Sequence, residues 1–150
     1  EKIQSPKGAR GLMQVMPETA RWISQELKYE NFHNDMLYEP QHNIMMGSWY
    51  IRYLLKQFNG NMITALAAYN GGETNVKKWL TNGTWSGNFN DLGDIPFKET
   101  RNYVYKVMMD YSTYKDLYEK SSQNKRNLPF NIEVKHILLF VGNYKSLLAY

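Results

Sequence analysis

The chain has 150 residues, 43% of them hydrophobic and 21% charged, a balance that fits one globular domain with its own core. It contains no cysteine, which excludes a disulfide scaffold, a thiol nucleophile and a cysteine-based zinc site. The net charge of +4 suits an anionic polymer, but the Lys and Arg residues are scattered rather than clustered, so a nucleic-acid partner is not expected.

Ser5-Pro6-Lys7-Gly8 reads as a turn. Pro17 and Glu18 open the first helix, since proline fits a first helical turn and an acidic side chain complements the positive end of the dipole. Ala20, Ile23, Ser24 and Leu27 fall on one face of it. Residues 31–40 read as a polar loop and residues 40–58 as a second helix, with an apolar stripe of Ile44, Gly47, Tyr50, Ile51, Leu54 and Leu55. Asn59-Gly60-Asn61 ends it. A third helix over 62–69 carries Ala65, Ala67 and Ala68, small enough for another backbone to approach, and Asn70-Gly71-Gly72 breaks it. A short fourth helix over 74–80, a loop over 81–94 and a fifth helix over 98–118 follow. Strand alternation persists nowhere up to residue 119, so the fold to that point is all-α. Residues 121–127 are polar and read as a linker. Residues 128–150 hold an isolated apolar run that fits a strand pair, a docking helix or sequence foreign to the domain. Its core, Ile137-Leu138-Leu139-Phe140-Val141, is far too short to cross a bilayer.

Three segments carry candidate chemistry. Gly8-Ala9-Arg10-Gly11-Leu12-Met13-Gln14-Val15-Met16-Pro17 pairs two glycines, which allow a tight backbone path, with an amide that both donates and accepts (Gln14) and an adaptable apolar side chain (Met16). Ala67-Ala68-Tyr69-Asn70-Gly71-Gly72 presents a phenol and an amide at a helix end, a pair suited to sugar hydroxyl and N-acetyl groups. Ile95-Pro96-Phe97-Lys98-Glu99-Thr100-Arg101-Asn102-Tyr103-Val104 places Glu99 and Tyr103 one turn apart on one helix face. Each segment alone is also explained without function, as a loop before a helix, a helix C-terminus and a helix start. The 12 Tyr and 4 Trp are equally double-edged, because aromatic rings fill cores as well as sugar-binding clefts.

Taken together and in this order, the three segments resemble the soluble lytic transglycosylase type of lysozyme-like domain. Glu39-Pro40 with Asn43-Ile44 and Gly47, and Val76 with Trp79, accompany them. The resemblance implies a lysozyme-like helical domain over 1–119, with 120–150 as linker and atypical tail. It implies cleavage of the β-1,4 bond between N-acetylmuramic acid and N-acetylglucosamine in peptidoglycan, leaving 1,6-anhydromuramyl ends. Gln14 and Met16 are expected to line one wall of the cleft, Ala68, Tyr69 and Asn70 the other, and Glu99 and Tyr103 the region near the muramyl subsites. Peptidoglycan glycan strands are the implied partner, and the expected setting is the bacterial cell envelope or the extracellular space. Neither cofactor nor metal is implied, and a monomer is expected.

The family reaction uses one carboxyl group. A glutamic acid protonates the glycosidic oxygen, then takes the proton of the C6 hydroxyl, and an apolar pocket suits it to both tasks. The resemblance places that glutamate in a Glu-Ser pair a few residues before Glu1, and Glu1 itself is out of register with it. No residue of this sequence is therefore expected to be the catalyst, and these residues by themselves are expected to be inactive. A non-catalytic peptidoglycan-binding module is the alternative reading. The apolar run Ile137 to Val141 is expected to cover core surface that the family's preceding helix would otherwise bury.

Overall fold

The computed structural model of the protein describes residues 2–122. The tail expected over 120–150, and with it the covering role of Ile137 to Val141, lies almost wholly outside the described residues. The regular elements of the described part are helices, α1 (Pro17–Glu26), α2 (Pro40–Gln57), α3 (Met62–Gly71), α4 (Glu73–Thr81) and α5 (Lys98–Ser122). Two short 3-10 helices, Asn34–Tyr38 and Phe89–Asp94, fall inside segments expected to be loops. Among the described residues there is no β-strand, only the isolated bridges Gln4 to Arg10 and Arg10 to Val15. The all-α expectation therefore holds.

The chain divides into two compact units, one ending at Tyr50 and the next beginning at Ile51, with α2 running through the boundary. In the first unit, α1 starts at Pro17 with Glu18 in its first turn and buries Ala20, Ile23 and Ser24. Leu27, expected on the same face, is exposed, because the helix stops at Glu26 and Lys28 turns left-handed at φ +50°. Trp22 of α1 meets Trp49 and Tyr50 of α2 edge-on, with ring centroids 5.2 and 6.2 Å apart. The buried positions in the first part of α2 are Asn43, Met46 and Gly47.

In the second unit, α2 continues through buried Ile51 and Leu54 to buried Phe58. It closes through Asn59 (φ +52°) and Gly60 (φ +79°), where the Gly60 N–H reaches back to Leu55 O at 2.8 Å. Asn61 then caps α3, its Oδ1 accepting from Ile63 N at 2.9 Å and Thr64 N at 3.2 Å. Thr64, Ala65, Leu66, Ala67, Ala68 and Tyr69 are all buried, so α3 is the central helix of this unit, with α4 and α5 packed on it. It runs two residues past the expected stop, and the break comes at Gly72, whose φ of +92° only glycine adopts freely. Helix α5 buries Thr100, Tyr103, Val104 and Val107, a spacing of three and four that marks one helical face.

Candidate functional site

The segment from Gly8 to Pro17 is built around one side chain that the sequence does not advertise. Arg10 and Val15 exchange backbone hydrogen bonds at 3.0 and 3.1 Å, which closes residues 10–15 into a tight loop. Asn43, fully buried on α2, reaches into it. Its Oδ1 accepts from Met13 N at 2.6 Å, and its Nδ2 donates to Arg10 O and Leu37 O, both at 2.7 Å. This leaves no space at Gly11, where a Cβ would stand 2.1 Å from Leu37 O, and its φ is +71°. Gly47 is constrained by a side chain alone, since a Cβ there would meet Met13 Sδ at 2.5 Å. Both glycines and Asn43 thus serve one end, the seating of the loop on α2.

Gln14 sits in that loop at φ +50°, a conformation that costs a non-glycine residue about 1 kcal/mol and is retained where surroundings impose it. It is 2% exposed; Nε2 donates to Gly11 O at 2.8 Å, while Oε1 is buried with no hydrogen-bond partner. Met16 is half-buried and stands at the N-cap of α1.

The second and third motifs meet within the second unit. Asn70, half-buried near the end of α3, lies against the first turn of α5. Its Oδ1 accepts from Thr100 Oγ1 at 2.8 Å, and its Nδ2 approaches Glu99 Oε1 at a long 3.5 Å. Thr100 is buried, and its Oγ1 lies 2.8 Å from where a Cβ on Gly71 would stand, so Gly71 keeps the two helices close. Ala68, Tyr69 and Tyr103 are buried, and Glu99 is exposed. The Tyr103 hydroxyl has no hydrogen-bond partner; burial, and secondarily Tyr69, holds its pKa well above the ordinary phenol value. Of the candidates on this unit, Asn70 and Glu99 are the two that are not buried, and both carry polar groups. Thr100 and Asn43 are the two structurally decisive residues that the motif reading left without a role.

The second unit also has an open pocket of about 450 Å³, between the end of α2 and helix α4, that includes none of the candidate residues. Several of its polar groups are already engaged: Lys77 with Glu73 and Gln57, and Asn61 as the cap of α3. Among the described residues no group of three His, Cys, Asp or Glu side chains is placed to hold a metal ion.

Residues 1–91 match the family described as the Transglycosylase SLT domain. The soluble lytic murein transglycosylase of Salmonella typhimurium is 40% identical over 117 residues, which is 75% of this chain and 18% of that protein. The 70 kDa soluble lytic transglycosylase of Escherichia coli superposes with a TM-score of 0.63 at 39% identity, over 69% of this chain and 17% of that one. An inactive mutant of the Pseudomonas aeruginosa lytic transglycosylase Slt, with glutamine in place of a glutamate, gives 0.60 at 38% identity, again over 69% and 17%. These likenesses define the class, a lysozyme-like all-helical domain. The chain belongs to the transglycosylase SLT domain family, and it spans less than a fifth of the length of these relatives.

Proposed function

We propose that this chain is the glycan-binding body of a peptidoglycan lytic transglycosylase domain, cleaving between N-acetylmuramic acid and N-acetylglucosamine to leave 1,6-anhydromuramyl ends. One observation carries the reading. The two motifs that the resemblance assigns to sugar binding, widely separated in sequence, converge on the Asn70, Glu99 and Thr100 cluster. In this reading Asn70 and Glu99 make polar contacts with the N-acetylated sugars, and Tyr69, Tyr103 and Ala68 back them; Gln14 and Met16, in the first unit, are sugar-binding residues by the resemblance. The buried, unpartnered Gln14 Oε1 supports a role for that side chain beyond closing its own loop. Glycan strands of the cell wall are the substrate, and the cell envelope is the setting. No helix among the described residues is long and apolar enough to cross a membrane.

The acid is the family glutamate, not Glu99. A group that donates and then reclaims a proton in this chemistry needs an enclosed, apolar setting. Glu99 is exposed, and its carboxylate faces the Asn70 amide. Full-length protein incubated with purified sacculi is expected to release muropeptides with anhydro ends, identified by mass spectrometry. Reducing ends would identify a hydrolase, and binding to sacculi without release would identify a non-catalytic module.

A further inference from the structure

We propose that Thr100 is a positioning residue for Asn70: Glu99 sets the sense of the amide, the buried Thr100 hydroxyl anchors its carbonyl, and the NH2 group left facing substrate reads an acceptor oxygen on the sugar. The inference rests on the reading of Asn70 as a substrate-contacting residue. A primary amide is nearly symmetric in shape, so a half-turn exchanges donor for acceptor with little steric cost, and only its neighbours decide which end points where.

Two neighbours act on it here, Glu99 setting the sense and Thr100, whose hydroxyl could pair with either end, holding the amide in place. Glu99 offers a carboxylate, which accepts only, so the Asn70 NH2 must lie on its side. At 3.5 Å that contact is too long to hold the amide by itself. Thr100 supplies the short bond, 2.8 Å to Oδ1, from a side chain 1% exposed. A flipped amide would set Oδ1 against a carboxylate oxygen. Thr100 is seated close against α3, where a Cβ on residue 71 would stand 2.8 Å from its hydroxyl, a fit that glycine at that position allows. The carbonyl of Asn70 is thereby engaged on the buried side. Its NH2 remains on the side of exposed Glu99, with one N–H beyond the bond to that carboxylate. A donor so placed matches an N-acetyl carbonyl or an ether or hydroxyl oxygen, and it discriminates against a sugar that presents a donor there.

The test uses full-length protein carrying Thr100→Val, which keeps the shape and removes the donor, and Thr100→Ser, which keeps the donor. Thr100→Val is expected to raise KM for soluble glycan strands about five- to ten-fold, the scale of one lost hydrogen bond, and to leave kcat within about two-fold. Thr100→Ser is expected to restore KM to within about two-fold of wild type by the same scale. An unchanged KM in a folded Thr100→Val protein, or a Thr100→Ser protein as weak as the valine variant, overturns the proposal. A readout free of activity accompanies this. In the wild type, nuclear Overhauser contacts of the Asn70 amide protons should run to the Glu99 side-chain methylenes. Contacts to the Thr100 methyl in their place overturn the assigned orientation, even if a variant fails to fold. Wild-type protein that neither binds nor cuts glycan strands overturns the reading of the site, and the recognition role with it, while the amide contacts still decide the orientation.

Discussion

Tyr103 shows how burial can be read as a pH dependence. Its phenol is fully buried and its hydroxyl unpartnered, and its pKa is raised well above the ordinary value of 10.0. Below that ordinary value both the folded and unfolded states keep the proton, so the group adds no pH dependence. Above it the unfolded chain releases a proton that the folded chain retains. Stability then falls as pH rises, by about 1.4 kcal/mol per unit from this group. Tyr103→Phe is expected to remove that alkaline slope. At neutral pH it should change stability by no more than about 1 kcal/mol, since no partner loses a bond. Urea titrations of both proteins from neutral pH to above pH 10 check this, because the other tyrosines contribute alike to each and cancel in the difference. Parallel wild-type and variant curves across that range would rule it out.

At the scale of elements, helix type and order were legible in the sequence because the apolar spacing and the breakers agree. Pro17, Asn59-Gly60 and Gly72 act where their backbone preferences dictate. The two 3-10 helices were not legible, since five or six residues are too few to show a period. Nor was the role of Asn43. A buried amide on an apolar helix face looks like an interruption, and only the fold shows that it satisfies Met13 N, Arg10 O and Leu37 O at once. Asn43→Ala leaves these three backbone groups without that partner. At about 1–3 kcal/mol for each such group, partly offset by water entering the space, the variant is expected to lose about 3 kcal/mol. That is a large share of a margin of about 5–15 kcal/mol. A loss below about 1 kcal/mol in urea denaturation would mean the loop is held by other means.

The molecule as a whole poses a question of charge against shape. The motifs named the candidate residues, but the sequence could not tell which of them display polar groups, because a period gives a face and not a side-chain partner. Gln14 and Tyr103 prove buried, whereas Asn70 and Glu99 offer the groups at the surface. The excess of +4 over 150 residues is spread along the chain, and the candidate cluster contributes one carboxylate and no cation. If the proposed reading holds, recognition of the glycan through that cluster rests on hydrogen bonding rather than on a basic patch. Salt separates the two, since the screening length drops from about 10 Å at 0.1 M to about 3 Å at 1 M. Asn70→Ala is expected to weaken binding of the full-length protein to purified sacculi about five- to ten-fold, as befits one directed hydrogen bond. That ratio to wild type should stay the same at both salt concentrations, even if the absolute affinity of each protein falls through its distributed charge. A ratio that shrinks toward one in high salt, measured by co-sedimentation over a range of sacculus concentrations, would show that Asn70 acts through the local field of Glu99 and not through a bond of its own to the sugar.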